Sequence, residues 1–294
     1  MHGTDNVTIN RGEHRLRPVG PCLGLAVILY VAFTVGGCST QRPLNALYTR
    51  KIPDVGRGAP SRYVVRASQY AFTTDFEMNK SDPLIHELEK LRDTICDTLD
   101  IHPSSMPVRI VIFENRQSYH EFLAANFPGL PERRAFFIQE GKESRAVFAC
   151  QGERLRQDLR HETTHALLHS ALPDVPLWLD EGIAEYFEFS DLPDEINPSH
   201  VDHLRQAVVN GWEPDLPRLE KLIDLWQVKQ IDYRESWLWI HFCLHHSPQT
   251  RKILLEELRD LGESDRPLRL SDRLLAVMPD PSKEVLEHLH TLAR

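Results

Sequence analysis

The chain has 294 residues with 34 basic and 43 acidic side chains, a formal charge of −9. That balance argues against a nucleic-acid partner, because such binding rests on clustered Lys and Arg meeting phosphates. Apolar residues at 41% and charged residues at 26% argue against both a disordered tail and a polytopic membrane protein, so the bulk of the chain reads as a soluble domain. Fifteen histidines are many for such a chain, and their placement becomes the first question.

Arg11, Arg15 and Arg17 precede an apolar run from Cys22 to Val35, which ends in Val35-Gly36-Gly37-Cys38-Ser39. A basic flank, a short apolar core and small residues before a cut site make a secretory signal. The core is shorter than the roughly 20 residues a bilayer span needs. Val35-Gly36-Gly37-Cys38 resembles a bacterial lipobox, which implies that Cys38 is acylated and leads the mature chain. The expected divisions are a lipoprotein signal peptide over 1–37 and a flexible tether over 38–60, where Pro43, Pro53 and Pro60 interrupt any apolar period. The lipid anchor implies a cell-envelope location on a membrane, at the outer membrane or the periplasmic face, and Ser39 after the anchor favours the outer membrane by analogy with enteric bacteria. Cys96, Cys150 and Cys243 remain, an odd and widely spaced set that forms no disulfide framework, so the fold must hold by its core.

Order is expected to begin with a strand at Tyr63–Arg66. A helix follows over Pro83–Leu99, announced by Ser81-Asp82-Pro83 and carrying Leu84, Leu88, Leu91, Ile95 and Leu99 at helical spacing. Val108–Phe113 is β-branched and suits a central strand, and Ser118–Ala125 a short helix. Phe136–Gln139 and Arg145–Ala149 flank Gly141-Lys142-Glu143-Ser144 as a hairpin. After Gly152 the period changes: one long helix is expected over 153–171, a second over 177–189, and further helices near 199–210, 216–225, 232–246, 248–261, 270–277 and 281–292. The fold class is therefore α+β, with a front half over 61–190 and a helical rear half over 191–294.

The long helix contains His161-Glu162-Thr163-Thr164-His165. Residues four apart project from one helix face, so both imidazoles can share one metal ion, and Glu162 can act as general base on a water at that ion. The metzincin continuation fails, since Leu168 and Ala171 stand where glycine and a third histidine belong. His169 sits one further turn along and drifts away from the metal.

Downstream, Trp178-Leu179-Asp180-Glu181-Gly182-Ile183-Ala184-Glu185-Tyr186 resembles the Trp-Leu-x-Glu-Gly-x-Ala-x-Tyr segment of the gluzincins. The resemblance implies that Glu181 is the third ligand of one Zn2+ ion. Glu185, one turn later, would orient a ligand histidine through its other nitrogen, with Glu188 a weaker candidate and Asp180 a local cap or surface charge. Taken over roughly 63–246, the chain looks like the peptidase-MA-like gluzincin domains of bacterial lipoproteins. That implies a zincin-like fold: a small mixed sheet with an antiparallel edge strand packed on the motif helix, then a mostly helical C-terminal part. No Gly-Ala-Met-Glu-Asn-type exopeptidase motif precedes the motif helix, which favours an endopeptidase acting on a peptide or protein substrate.

By the same resemblance a later helix supplies the residue that steadies the reacting oxygen, with Tyr233 first and His241 second in order. His245 and His246 fall at a helix end, where a capping bond or positive charge explains them. Arg145–Ala149 takes the place of the edge strand that binds substrate by strand addition. Two other classes remain open: a catalytically idle gluzincin-like module that binds a peptide or envelope partner, and a structural lipoprotein with incidental histidines.

Overall fold

The computed structural model describes residues 48–53, 58–130, 132–172, 174–189, 196–263 and 268–292. The expected signal segment over 1–37 and the lipidation site Cys38 lie outside the described residues. Among the described residues, no helix is long and apolar enough to cross a membrane.

The chain enters a hairpin of β1 (Tyr63–Ala67) and β2 (Tyr70–Thr74). Only β1 is legible in the sequence, because the turn between them has no glycine or asparagine. Ser68 instead takes the left-handed conformation, with φ 51°. Helix α1 (Pro83–Leu99) is capped by the Asp82 carboxylate, which accepts from the Leu84 N–H at 2.9 Å, and it buries the predicted leucine stripe. Then come β3 (Val108–Phe113), α2 (Arg116–Asn126), β4 (Ala135–Glu140) and β5 (Ser144–Cys150).

These strands form one mixed five-stranded sheet in the order β1-β2-β3-β5-β4. β3 is central and parallel to both β2 and β5, while β4 is antiparallel to β5 and forms the outer edge. Alternation along β3 sends Val108, Ile110 and Ile112 to one core and Val111 and Phe113 to another. The first core takes the apolar faces of α1 and of α3 (Leu155–Ala171), and the second takes Tyr119, Phe122 and Leu123 of α2. Both faces of β3 are thus covered, which is why it reads as a continuous apolar run.

Two expectations change here. Arg145–Ala149 is interior, paired on both sides, so it offers no free edge; the edge strand is β4, reached because the Gly141 turn folds β4 to the outside. The segment expected as a tether over 38–60 is docked at Tyr48–Ile52: the Gln139 N–H donates to the Tyr48 carbonyl at 3.0 Å, the Arg50 N–H donates to the Gln139 carbonyl at 2.9 Å, and Tyr48 and Ile52 are buried. The reason is the exposed backbone of β4, whose polar groups are satisfied by a parallel chain.

α3 ends at Ala171, and α4 (Leu177–Glu188) returns across it. The rest is helical: α5 (Pro198–Val209), α6 (Leu216–Leu219), α7 (Gln230–His245), α8 (Pro248–Glu263), α9 (Leu270–Leu275) and α10 (Pro281–Thr291). The single helix expected over 216–225 is α6 alone, followed by a separate turn of 3-10 helix at Leu225–Gln227 that Asp224 caps. α7 is polar in its first turns and buried all round from Glu235 to Leu244, with Trp237, Trp239 and Phe242 inaccessible.

The contact of α4 with α7 explains Gly182. A Cβ at this position would lie 2.8 Å from the Ser236 carbonyl oxygen and 3.0 Å from Ile240 Cγ1, so the helices approach through a missing side chain. Gly182→Ala must push α7 backbone, and the expected cost is about 1–3 kcal/mol despite the better helix propensity of alanine. A thermal midpoint equal to or above that of the wild type would contradict this account.

Candidate metal centre

His161 and His165 stand one turn apart on α3, and α4 delivers Glu181 to the same point. The two Nε2 atoms lie 3.2 Å apart, and Glu181 Oε2 is 3.6 Å from His161 Nε2 and 3.7 Å from His165 Nε2. The structure therefore brings together all three residues expected as ligands and gives them converging donor atoms that can hold a metal ion. His161, Glu162 and Glu181 face a cleft of about 1060 Å³, so the site opens to solvent.

The remaining atoms of these side chains are held from behind. His165 Nδ1 meets Asp180 Oδ1 at 2.7 Å, and His161 Nδ1 meets Glu188 Oε2 at 3.1 Å. The Tyr48 hydroxyl donates to Glu181 Oε1 at 3.3 Å, which leaves Oε2 turned to the histidines. Each of the three side chains thus has one atom facing inward and its other polar atom anchored, the arrangement that fixes imidazole tautomer and carboxylate orientation.

Several expectations are revised by this geometry. Asp180 is neither a cap nor a surface charge: it is 1% exposed and bridges His165 to His169, whose Nε2 lies 2.9 Å from Oδ2. Position along α4 explains it, because Asp180 is next to Glu181 and points to the following turn of α3. His169 lies behind the three converging atoms, with its Nε2 on Asp180. The orienting role expected of Glu185 falls to Asp180 and Glu188, while Glu185 pairs with His200 Nε2 at 2.8 Å. His200, from α5, was not singled out by any motif; nothing local marks it.

Tyr233 lines the same cleft, near the start of α7. His241, the second choice, does not line it: its Nδ1 is 2.9 Å from His288 Nε2 on the rear side of α7, where His245 Nε2 also meets the Tyr186 hydroxyl at 2.7 Å. Two turns of helix separate Tyr233 from His241, and the rear helices cover the latter.

Two other groupings of ligand-type atoms occur, His165–His169–Asp180 and His161–Glu185–Glu188. In the first, Asp180 is hydrogen-bonded to His165 at 2.7 Å and to His169 at 2.9 Å, and all three are buried behind the cleft; in the second, His161 Nδ1 meets Glu188 Oε2 at 3.1 Å while Glu185 pairs with His200. In the set of His161, His165 and Glu181 the two Nε2 atoms lie within hydrogen-bond distance of each other, 3.2 Å, and both turn to Glu181 Oε2 at the cleft.

Electrostatics agree with that division. Burial disfavours a charged imidazole, yet Glu181 and Glu188 outweigh it and hold His161 well above the usual histidine pKa. Burial is likewise overcome at His165 by Asp180, whose carboxyl the two histidines hold well below the ordinary range against its own burial. Burial raises the Glu162 carboxyl, with His161 and His165 opposing. Burial, reinforced by the Glu181 charge, raises the Tyr233 phenol and keeps it protonated.

A scan against protein-family models found no match to this chain, and a search of curated proteins found none either.

The carboxylates that raise His161 and His165 favour their protonated forms, so a metal competes with protons for the same nitrogens. Calorimetric titration with zinc in buffers of different ionisation enthalpy is expected to show release of about one to two protons, with affinity rising as pH increases. Asp180→Asn is expected to weaken metal affinity about 10–100-fold, because it loosens His165 without touching a ligand atom. Unchanged affinity in that variant would remove Asp180 from the site.

Proposed function

We propose that the chain is a zinc-dependent peptidase, of endopeptidase type, on a zincin-like fold. The observation that carries this reading is the spacing of the three inward donor atoms, 3.2, 3.6 and 3.7 Å. Tetrahedral zinc with ligands at 2.0–2.1 Å separates its donors by about 3.3–3.4 Å, so the donor set of two imidazole nitrogens and one carboxylate oxygen suits that ion in kind and in distance. Three protein ligands leave one position for chemistry.

Zinc held by His161, His165 and Glu181 supplies Lewis acidity toward a peptide carbonyl and the attacking water. Glu162, next to a ligand but not one of them, accepts the proton of that water as its oxygen bonds to the carbonyl carbon. The same carboxyl then gives the proton to the departing amine nitrogen as the C–N bond breaks. Burial raises this carboxyl above the ordinary carboxylate range, which strengthens it as a proton acceptor. Tyr233, kept protonated in the cleft, donates a hydrogen bond to the carbonyl oxygen as it gains charge.

Substrate backbone pairs with β4. Both the N–H and the carbonyl of Gln139 point away from β5, toward residues 48–50, and alternation directs those of Phe137 and Ala135 the same way. Ala135 lines the cleft, so an extended peptide added along Ala135–Phe137 runs past the metal ligands. The Cys38 anchor, supported by Val35-Gly36-Gly37-Cys38 alone, holds the enzyme on a membrane of the cell envelope.

Metal analysis is expected to give one zinc per chain, and casein or a peptide library to be cleaved. Glu162→Gln should retain zinc and lose about 10²–10⁴-fold in kcat. Tyr233→Phe should lower kcat by about 10²-fold with a smaller effect on KM. A zinc-loaded wild type that binds peptides without cutting any would make the chain a binding module instead.

A further inference from the structure

Five arginines line the cleft. Three of them are neutralised by local carboxylates. Arg116 pairs with Glu132 at 2.7 Å, Arg134 grips Asp158 through Nε and Nη2 at 2.9 and 2.7 Å, and Arg154 lies 3.6 Å from Glu188. Arg133 and Arg234 differ: among the described residues neither has an ion pair or a hydrogen bond. Arg234 Nε is shielded from solvent and still lacks an acceptor.

A guanidinium cannot shed its charge and carries five donors in a planar fork that matches a carboxylate. A shielded donor without an acceptor costs stability unless a guest supplies one. The two arginines also bracket the chemistry. Arg133 lies in the segment leading into β4, two residues before Ala135, and its charge acts on Glu162 and Tyr233. Arg234 follows Tyr233 near the start of α7, and its charge acts on Glu185. A peptide strand on β4 therefore passes one guanidinium beside the edge and meets the other from the rear helices.

We propose that Arg133 and Arg234 form a carboxylate-recognising subsite next to the metal ligands, so that the cleft selects peptides with an acidic side chain or a free C-terminus near the scissile bond. The subsite rests on the reading of the cleft as a peptide site. It counters the general repulsion that a chain of charge −9 exerts on acidic ligands.

The test is fluorescence anisotropy with the full chain carrying Glu162→Gln, zinc-loaded and zinc-free, at fixed ionic strength. The probes are four fluorescein-labelled decapeptides of alanine and glycine, with a central Glu-Glu or Gln-Gln and with a free or amidated C-terminus. The acidic or free-acid probes should bind about tenfold or more tightly than their neutral partners, since charge-assisted bidentate bonds are the strong ones. The Glu-to-Gln and free-to-amide comparisons separate a side-chain source from a terminal one. Arg133→Gln together with Arg234→Gln should bring the ratio close to one, and the two lysine replacements should restore it only in part, since the planar fork is absent. A ratio, unlike an absolute affinity, is insensitive to partial loss of folded protein. Equal binding of all four probes, or a preference that survives the double glutamine variant, overturns the subsite. Because binding is read without cleavage, an acidic preference in a chain that cuts nothing would sink the peptidase and leave the subsite standing.

Discussion

The structure turns on one buried carboxylate between two helices. Asp180 accepts from His165 and His169 along α3 while sitting next to Glu181 on α4, so the crossing that orients one imidazole also delivers the third ligand-type side chain. A carboxylate at 1% exposure is tolerated only with full pairing, and here two imidazoles supply it. Loss of either imidazole would leave one of the two buried carboxylate oxygens without its histidine. Helix packing and site geometry are therefore one constraint.

Layers behind this crossing keep it in place. Phe137 of β4 stacks on His165 and His169, with ring centroids 6.5 and 5.7 Å away, so the sheet edge supports the histidines from one side. Tyr48 packs on the same two rings and hydrogen-bonds Glu181, so a segment well before the first strand completes the wall. On the other side α7 presses against α4 through the space that Gly182 leaves open. The cleft is lined largely by charged side chains, and β4 and α7 reach it through Ala135 and through Tyr233 and Arg234.

Much of the fold was legible because its signals are local. The α1 leucine stripe, the Asp82 cap, the apolar β3 run and the Gly141 hairpin each depend on residues within a turn or two, and each forms where the pattern predicts. β2 escaped notice because Ser68 turns the chain without the usual glycine or asparagine. The edge position of β4 is not legible locally, because strand order is set by crossovers, which leave no local periodicity.

For the site, the sequence alone determined that His161 and His165 share a helix face, since i and i+4 alignment follows from helix geometry. Through a resemblance it also suggested Glu181. Only the tertiary structure decided which groups hold those side chains: Asp180 in place of Glu185, Glu188 on His161, Tyr48 on Glu181, and two arginines left facing the cleft. These pairings join residues up to 133 positions apart. No local pattern encodes them, because they arise where elements distant in sequence close on one another and most buried polar atoms find their partners there.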